Sequence, residues 1–149
     1  MVPMREEDVT RRVAGWLESG GWRILSVHAP GTQGGLRLRP IGVESKSEGT
    51  LIPDIVAARD GCVAVLESKP EYCDADVQKV RTVAEDPRYR DDLERVALMT
   101  EQSLASVLVG VCFSGPLPAT HPDGVALVHV DGDGVEAIGV AAATRRPVG

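Results

Sequence analysis

The first apolar positions of the chain recur with the period of a helix. Val9, Val13, Trp16 and Leu17 stand at i, i+4, i+7 and i+8, which predicts one buried face of a helix over Glu6–Ser19, and Gly20-Gly21 ends it. Trp16 on that stripe and Trp22 after the glycines are expected to pack into the core. The run Trp22-Arg23-Ile24-Leu25-Ser26-Val27 is short and rich in β-formers and predicts a strand. Residues 28–50 show neither period and hold Gly31, Gly34, Gly35, Pro40, Gly42 and Gly49, so they predict a long loop with a short strand about Leu36 to Leu38.

Two apolar runs, 52–58 and 62–67, flank Arg59-Asp60-Gly61, and Asp-Gly between β-rich runs is the strongest short-range hairpin signal. Val56, Ala58, Val63 and Val65 fall on one side, and Ile55, Ala57, Ala64 and Leu66 on the other. Strands apolar on both faces belong in the middle of a covered sheet. After Pro70, Asp74 is placed to cap a helix whose buried stripe is Val77, Val80 and Ala84, and a second helix over 91–99 buries Leu93, Val96 and Ala97. Residues 106–113 read as a core strand, or as a buried helix beginning near Gln102. Segments 125–130 and 135–140, around Asp131-Gly132-Asp133-Gly134, predict a terminal hairpin. The element order is that of one α/β domain over residues 1–149, a mixed sheet with helices on both faces.

Composition narrows the function classes. At 149 residues and 43% hydrophobic content, one core needs neither disulfide nor structural metal. Cys62, Cys73 and Cys112 are odd in number and form no CxxC pair, which fits a reducing cytoplasm. Acidic residues at Glu6, Glu7 and Asp8 stand where a signal peptide needs an apolar run, and no stretch approaches the ~18 apolar residues of a membrane span, so neither secretion nor a membrane partner is expected. The formal charge of −6 disfavours tight, nonspecific coating of nucleic acid. Local basic stretches remain, at Arg37, Arg39 and Lys46, at Arg88, Arg90 and Arg95, and at Arg145 and Arg146; solvated charge is the default reading of each.

The hairpin register makes the acidic residues informative. With Asp60-Gly61 as the loop, Asp54 falls opposite Glu67, with Cβ atoms ~4.5–5.5 Å apart, and Lys69 returns to the same face. Two facing carboxylates repel and need a cation. Mg²⁺ meets that need, binding one or two carboxylates and keeping waters and substrate phosphate in its other positions; Ser68 offers a carbonyl as a third ligand. Lys69 is then placed to hold or help deprotonate a water on the metal and to stabilise charge on a phosphate. The plainer alternative is a cross-strand charge ladder in which Lys69 neutralises one acid.

Pro53-Asp54 followed by Glu67-Ser68-Lys69, on a hairpin between helices, resembles the PD-(D/E)XK nuclease superfamily, the fold of restriction endonucleases and archaeal Holliday junction resolvases. The resemblance covers residues 6–113 and implies a restriction endonuclease-like three-layer fold. It also implies Mg²⁺- or Mn²⁺-dependent hydrolysis of DNA phosphodiester bonds, with Asp54 and Glu67 on the metal and Lys69 assisting an activated water. Many members carry a further glutamate on the first helix. Glu6 and Glu7 are the choices, and helical period favours Glu6, three before Val9 and seven before Val13; a first-turn acid serving only the helix dipole is the alternative. Gln78 stands where some members place a polar active-site residue.

The expected function is therefore a metal-dependent endonuclease acting in restriction, repair or recombination, as a homodimer or a subunit of a larger complex. Arg37 and Arg39 in the long loop are the expected DNA contacts. The competing expectation is a noncatalytic nuclease-like module that binds a protein partner. A small-molecule phosphohydrolase lacks a phosphate-cradling glycine loop. Asp131-Gly132-Asp133-Gly134 lacks the distal glutamate of a calcium loop and reads as a turn, and no serine or cysteine has a base partner for nucleophilic catalysis.

Overall fold

A two-residue turn sets the middle of the molecule. Asp60 and Gly61 take φ of 50° and 81°, the left-handed pair a type I′ hairpin requires. The flanking strands, β2 (Ile55–Arg59) and β3 (Cys62–Ser68), therefore pair Arg59 with Cys62 and Ile55 with Leu66, the expected register. The computed structural model describes residues 4–28, 35–43, 48–132 and 134–148. Gly31, Gly34, Lys46 and Asp133 lie outside the described residues.

The hairpin is the centre of a mixed seven-stranded sheet. β1 (Arg23–Val27) forms one edge, antiparallel to β2. On the other side β4 (Ser106–Phe113) runs parallel to β3, so the segment that allowed strand or helix is a strand. β5 (Ala126–Val130) is parallel to the second half of β4, and β6 (Val135–Ile138) is antiparallel to β5. The terminal hairpin ends at Ile138 rather than 140, because Gly139, at φ 76°, turns the chain into a short helix, α4 (Val140–Ala143). A last strand, β7 (Thr144–Arg145), then pairs with Val107 and Leu108 of β4 and completes the edge that β5 leaves open.

Helices cover both faces. Val9, Val13 and Leu17 of α1 (Glu6–Ser19) are buried with Ile55, Ala57, Ala64 and Leu66. On the opposite face α2 (Asp74–Glu85) and α3 (Arg90–Leu98) bring Val77, Val80, Leu93 and Val96 against Val56, Val63 and Val65. Each such side chain contributes roughly 1.5–3 kcal/mol when fully buried, which is why the hairpin is apolar on both sides. The short strand expected about Leu36 to Leu38 is a single bridge, Leu38 with Leu51.

Three local expectations are corrected. β2 begins at Ile55 rather than 52, because Pro53 has no N–H for the ladder and the chain bends at Asp54. Asp74 lies inside the first turn of α2; Cys73 occupies the cap, and no side chain caps the helix. Trp16 is 39% exposed, since Leu17 takes the buried centre of the stripe and leaves Trp16 on the rim. Trp22 is half-buried, with the Arg59 guanidinium 4.7 Å from its ring centroid. Cys62, Cys73 and Cys112 form no disulfide, and no helix among the described residues is long and apolar enough to cross a membrane.

Candidate active site

The open end of the hairpin collects charge. β3 is longer than β2, so Glu67 and Ser68 extend past the last β2 pair and are held instead by Val111 and Cys112 of β4. Asp54 sits just before β2, its carbonyl accepting the His28 N–H at 2.8 Å. Its carboxylate Oδ2 accepts the Ser68 N–H at 2.7 Å, a buried bond that fixes the acid against β3. Glu67 and Asp54 are 4% and 8% exposed. The Asp54 carboxyl is near enough to Glu67 to bear on its protonation. Burial first, and the Asp54 carboxyl next, push Glu67 up to about 8, with Lys79 pulling the other way.

Ser68 contributes more than its N–H. The Lys69 N–H donates to Cys112 O at 2.9 Å, on the β4 side. Backbone groups of successive strand residues alternate in direction, so the Ser68 carbonyl, like its N–H, faces the β2 side, beyond the end of that ladder.

Lys69 follows the last strand residue, its N–H still on the β4 ladder. Its Nζ lies 3.5 Å from Glu6 Oε1, on α1. Its pKa is raised chiefly by the nearby Asp76 carboxylate, and by Glu6 and Asp54. The start of α1 is tied to this end of the sheet through Ser114, whose Oγ accepts the Met4 N–H at 3.0 Å and donates to Pro70 O at 2.8 Å. Glu6 is half-buried and Glu7 exposed, as the helical period indicates.

Two further residues complete the cluster, and sequence reasoning missed both. Lys79 Nζ on α2 is 2.7 Å from Glu67 Oε1, so the cation that pairs with Glu67 is Lys79. Asp76, one turn earlier, is 8% exposed, and its carboxyl is raised by burial while Lys69 and Lys79 oppose the rise. A signal for Asp76 existed: it precedes Val80 by four and Val83 by seven, which places an acid on the buried stripe of α2. Gln78, two residues on, is exposed and points away from that stripe.

The donors gathered here are oxygens, the kind a hard divalent cation takes. Among the described residues, Glu6, Asp54, Glu67 and Asp76 stand around two ammonium groups, Lys69 and Lys79. Among the described residues no three His, Cys, Asp or Glu side chains converge as a metal-ligand group. An ion held here by Asp54, Glu67 and the Ser68 carbonyl would keep its remaining positions for water and substrate, the manner usual for Mg²⁺. No protein-family model matches the chain, and no curated protein or solved structure matches it.

The expected DNA contacts lie apart from the carboxylates. Arg37 and Arg39 are exposed and line a cleft of about 690 Å³ between β1 and α3, whose walls include neither Asp54 nor Glu67. In the other basic stretches, Arg88 pairs with Asp86 at 2.8 Å, Arg95 with Asp92 at 3.3 Å and Arg145 with Glu85 at 3.6 Å. Asp131 and Gly134 close a turn through Gly134 N–H to Asp131 Oδ1 at 3.0 Å.

Proposed function

We propose that this chain is a divalent-metal-dependent DNA endonuclease with a restriction endonuclease-like fold of the PD-(D/E)XK type. The observation that carries the reading is the burial of two acids, Asp54 and Glu67, side by side at the open end of the hairpin, where the Asp54 carboxyl raises Glu67. Such a pair costs stability unless a cation answers it, and clusters of this kind concentrate at functional sites. Asp54, Glu67 and the Ser68 carbonyl would hold Mg²⁺ or Mn²⁺. When bound, the ion supplies Lewis-acid charge to a phosphate ester.

The chain's own residues divide the remaining work. Lys69 is kept protonated by Asp76 and Glu6, so it serves as a hydrogen-bond donor that orients the attacking water and stabilises charge on the phosphate, rather than as a base. Glu6 positions Lys69 from α1. Ser68 N–H holds the Asp54 carboxylate in the rotamer the site needs.

A second reading is favoured by one contact. The 2.7 Å pair between Lys79 and Glu67 supplies a cation from the protein itself, which suits a noncatalytic module that binds a protein partner. One experiment separates the two. Supercoiled, linear, single-stranded and four-way-junction DNA are incubated with Mg²⁺, Mn²⁺ or EDTA, beside Asp54→Ala and Lys69→Ala. Metal-dependent cutting lost in both variants supports the nuclease. No cutting of any form, with no metal-dependent rise in thermal stability, supports the noncatalytic module.

A further inference from the structure

The arginine cleft is built differently from a plain basic surface. β1 is the edge of the sheet, and residues 35–39 fold beside it, with the Leu36 N–H donating to Ser26 Oγ at 2.8 Å. Two residues of α3 clamp the segment. Asp92 Oδ2 accepts the Arg39 N–H at 2.6 Å, and Arg95 donates to Arg37 O at 3.2 Å while its Nε lies 3.3 Å from Asp92 Oδ1. Backbone is thereby fixed while side chains stay available: neither the Arg37 nor the Arg39 guanidinium has an ion pair or hydrogen bond to another described residue, and both residues are exposed. Between the arginines the cleft is lined by Leu25, Leu36 and Met99, and Met99 is 45% exposed.

This combination selects a ligand class. Arginines select phosphate, while the exposed Met99 beside the half-buried Leu25 and Leu36 selects a flat apolar group carried next to it. A duplex presents phosphates outward and keeps its base faces stacked, so it would meet the guanidinium groups and leave the apolar lining unused. An unpaired strand offers both, with bases free to lie on side chains and on guanidinium planes. The volume of about 690 Å³ falls within the range of sites that enclose a ligand of nucleotide size. Leu25 and Leu36 pack against the core of the α2–α3 face, the face that Asp54 and Glu67 share by strand alternation. Ser26 pairs with Val56, two residues after Asp54. With strands ~4.8 Å apart and ~3.4 Å per residue, the floor of the cleft is about 8 Å from Asp54.

We infer that this cleft binds an unpaired stretch of a DNA strand, with phosphates on Arg37 and Arg39 and a base against Leu25, Leu36 and Met99. Delivery of that strand to the Asp54–Glu67 pair rests on the nuclease reading; the binding itself does not.

The test measures binding of the full chain in EDTA to a short fluorescent single-stranded DNA and to a duplex of the same length, across a salt series. The single strand is expected to bind about tenfold more tightly than the duplex, a preference the handful of cleft side chains can supply. Arg37→Ala with Arg39→Ala should lose about tenfold in single-strand affinity and flatten the slope of log affinity against log salt by about 1.4, the share of two phosphates on a single strand. Met99→Ala should weaken the single strand and leave the duplex unchanged, with circular dichroism confirming the fold of each variant. Duplex binding equal to or tighter than single-strand binding overturns the inference, as does wild-type affinity and slope in the double arginine variant. Cutting assays keep the two claims apart. Single-strand binding as expected with no cutting in Mg²⁺ or Mn²⁺ leaves the cleft standing and removes the nuclease. Asp54-dependent cutting of DNA with unchanged single-strand binding in the arginine variant does the reverse.

Discussion

The two ends of one hairpin obey opposite rules. Near the turn, every side chain of β2 and β3 between Ile55 and Ala58, or Val63 and Leu66, is buried and apolar, and the Asp60-Gly61 loop takes the left-handed angles its sequence favours. At the open end, one residue past that core, Asp54 and Glu67 are buried as well yet carry carboxyls, and the Asp54 carboxyl raises that of Glu67. The turn end is what a sheet does for stability, and the open end is what stability alone would remove. The core holds the charged end rigid, so two acids that repel keep one geometry.

The largest effect expected from breaking this contrast is on reaction rate. Asp54→Ala should abolish metal-dependent DNA cutting, and Lys69→Ala should lower its rate by about 10²–10⁴-fold, read as initial velocities on the DNA form that is cut best. Next in size is stability at the apolar end. Leu66→Ala, at a side chain 2% exposed, should cost about 2–5 kcal/mol in urea unfolding.

The turn follows. Gly61 has φ +81°, and a Cβ there would lie 2.7 Å from the Ser103 carbonyl oxygen, so Gly61→Ala should cost about 2 kcal/mol by the same measurement.

The smallest effect has the opposite sign and sits one residue from Leu66. Glu67 is raised from 4.5 to about 8 in the folded chain, so between those values the folded state binds more protons than the unfolded one. Stability in EDTA should therefore fall as pH rises from 4.5 to about 8. Glu67→Gln should remove much of that slope and gain about 1 kcal/mol at the upper end, read from melting curves across pH, because the half-exposed Lys79 can turn to solvent. Neighbouring positions on one strand would then respond to truncation and neutralisation in opposite directions.

How far each end could be read from sequence follows the same division. The turn end was legible because Asp-Gly and period-2 apolar runs are local signals, and the hairpin register is the expected one. Helix α1 was legible for the same reason, and it separates Glu6 from Glu7. The partners at the open end were not. Lys79 reaches Glu67 only because α2 packs on that face, a tertiary fact that no spacing within residues 54–69 encodes. Lys69 meets Glu6 only because the start of α1 packs at this end of the sheet, again a tertiary fact. Trp16 was misplaced because a helical stripe gives direction but not how far the sheet extends beneath it. β7 is two residues long, too short to carry a period.

The central claim is that the open end is a divalent-cation site, and calorimetric titration of the full chain with Mn²⁺ tests it most directly. Wild-type protein should bind Mn²⁺ with release of heat or protons, and Asp54→Ala and Glu67→Ala, shown folded by circular dichroism, should each lose that binding. Absence of binding by the wild-type chain, or equal binding by wild type and Asp54→Ala, would contradict it.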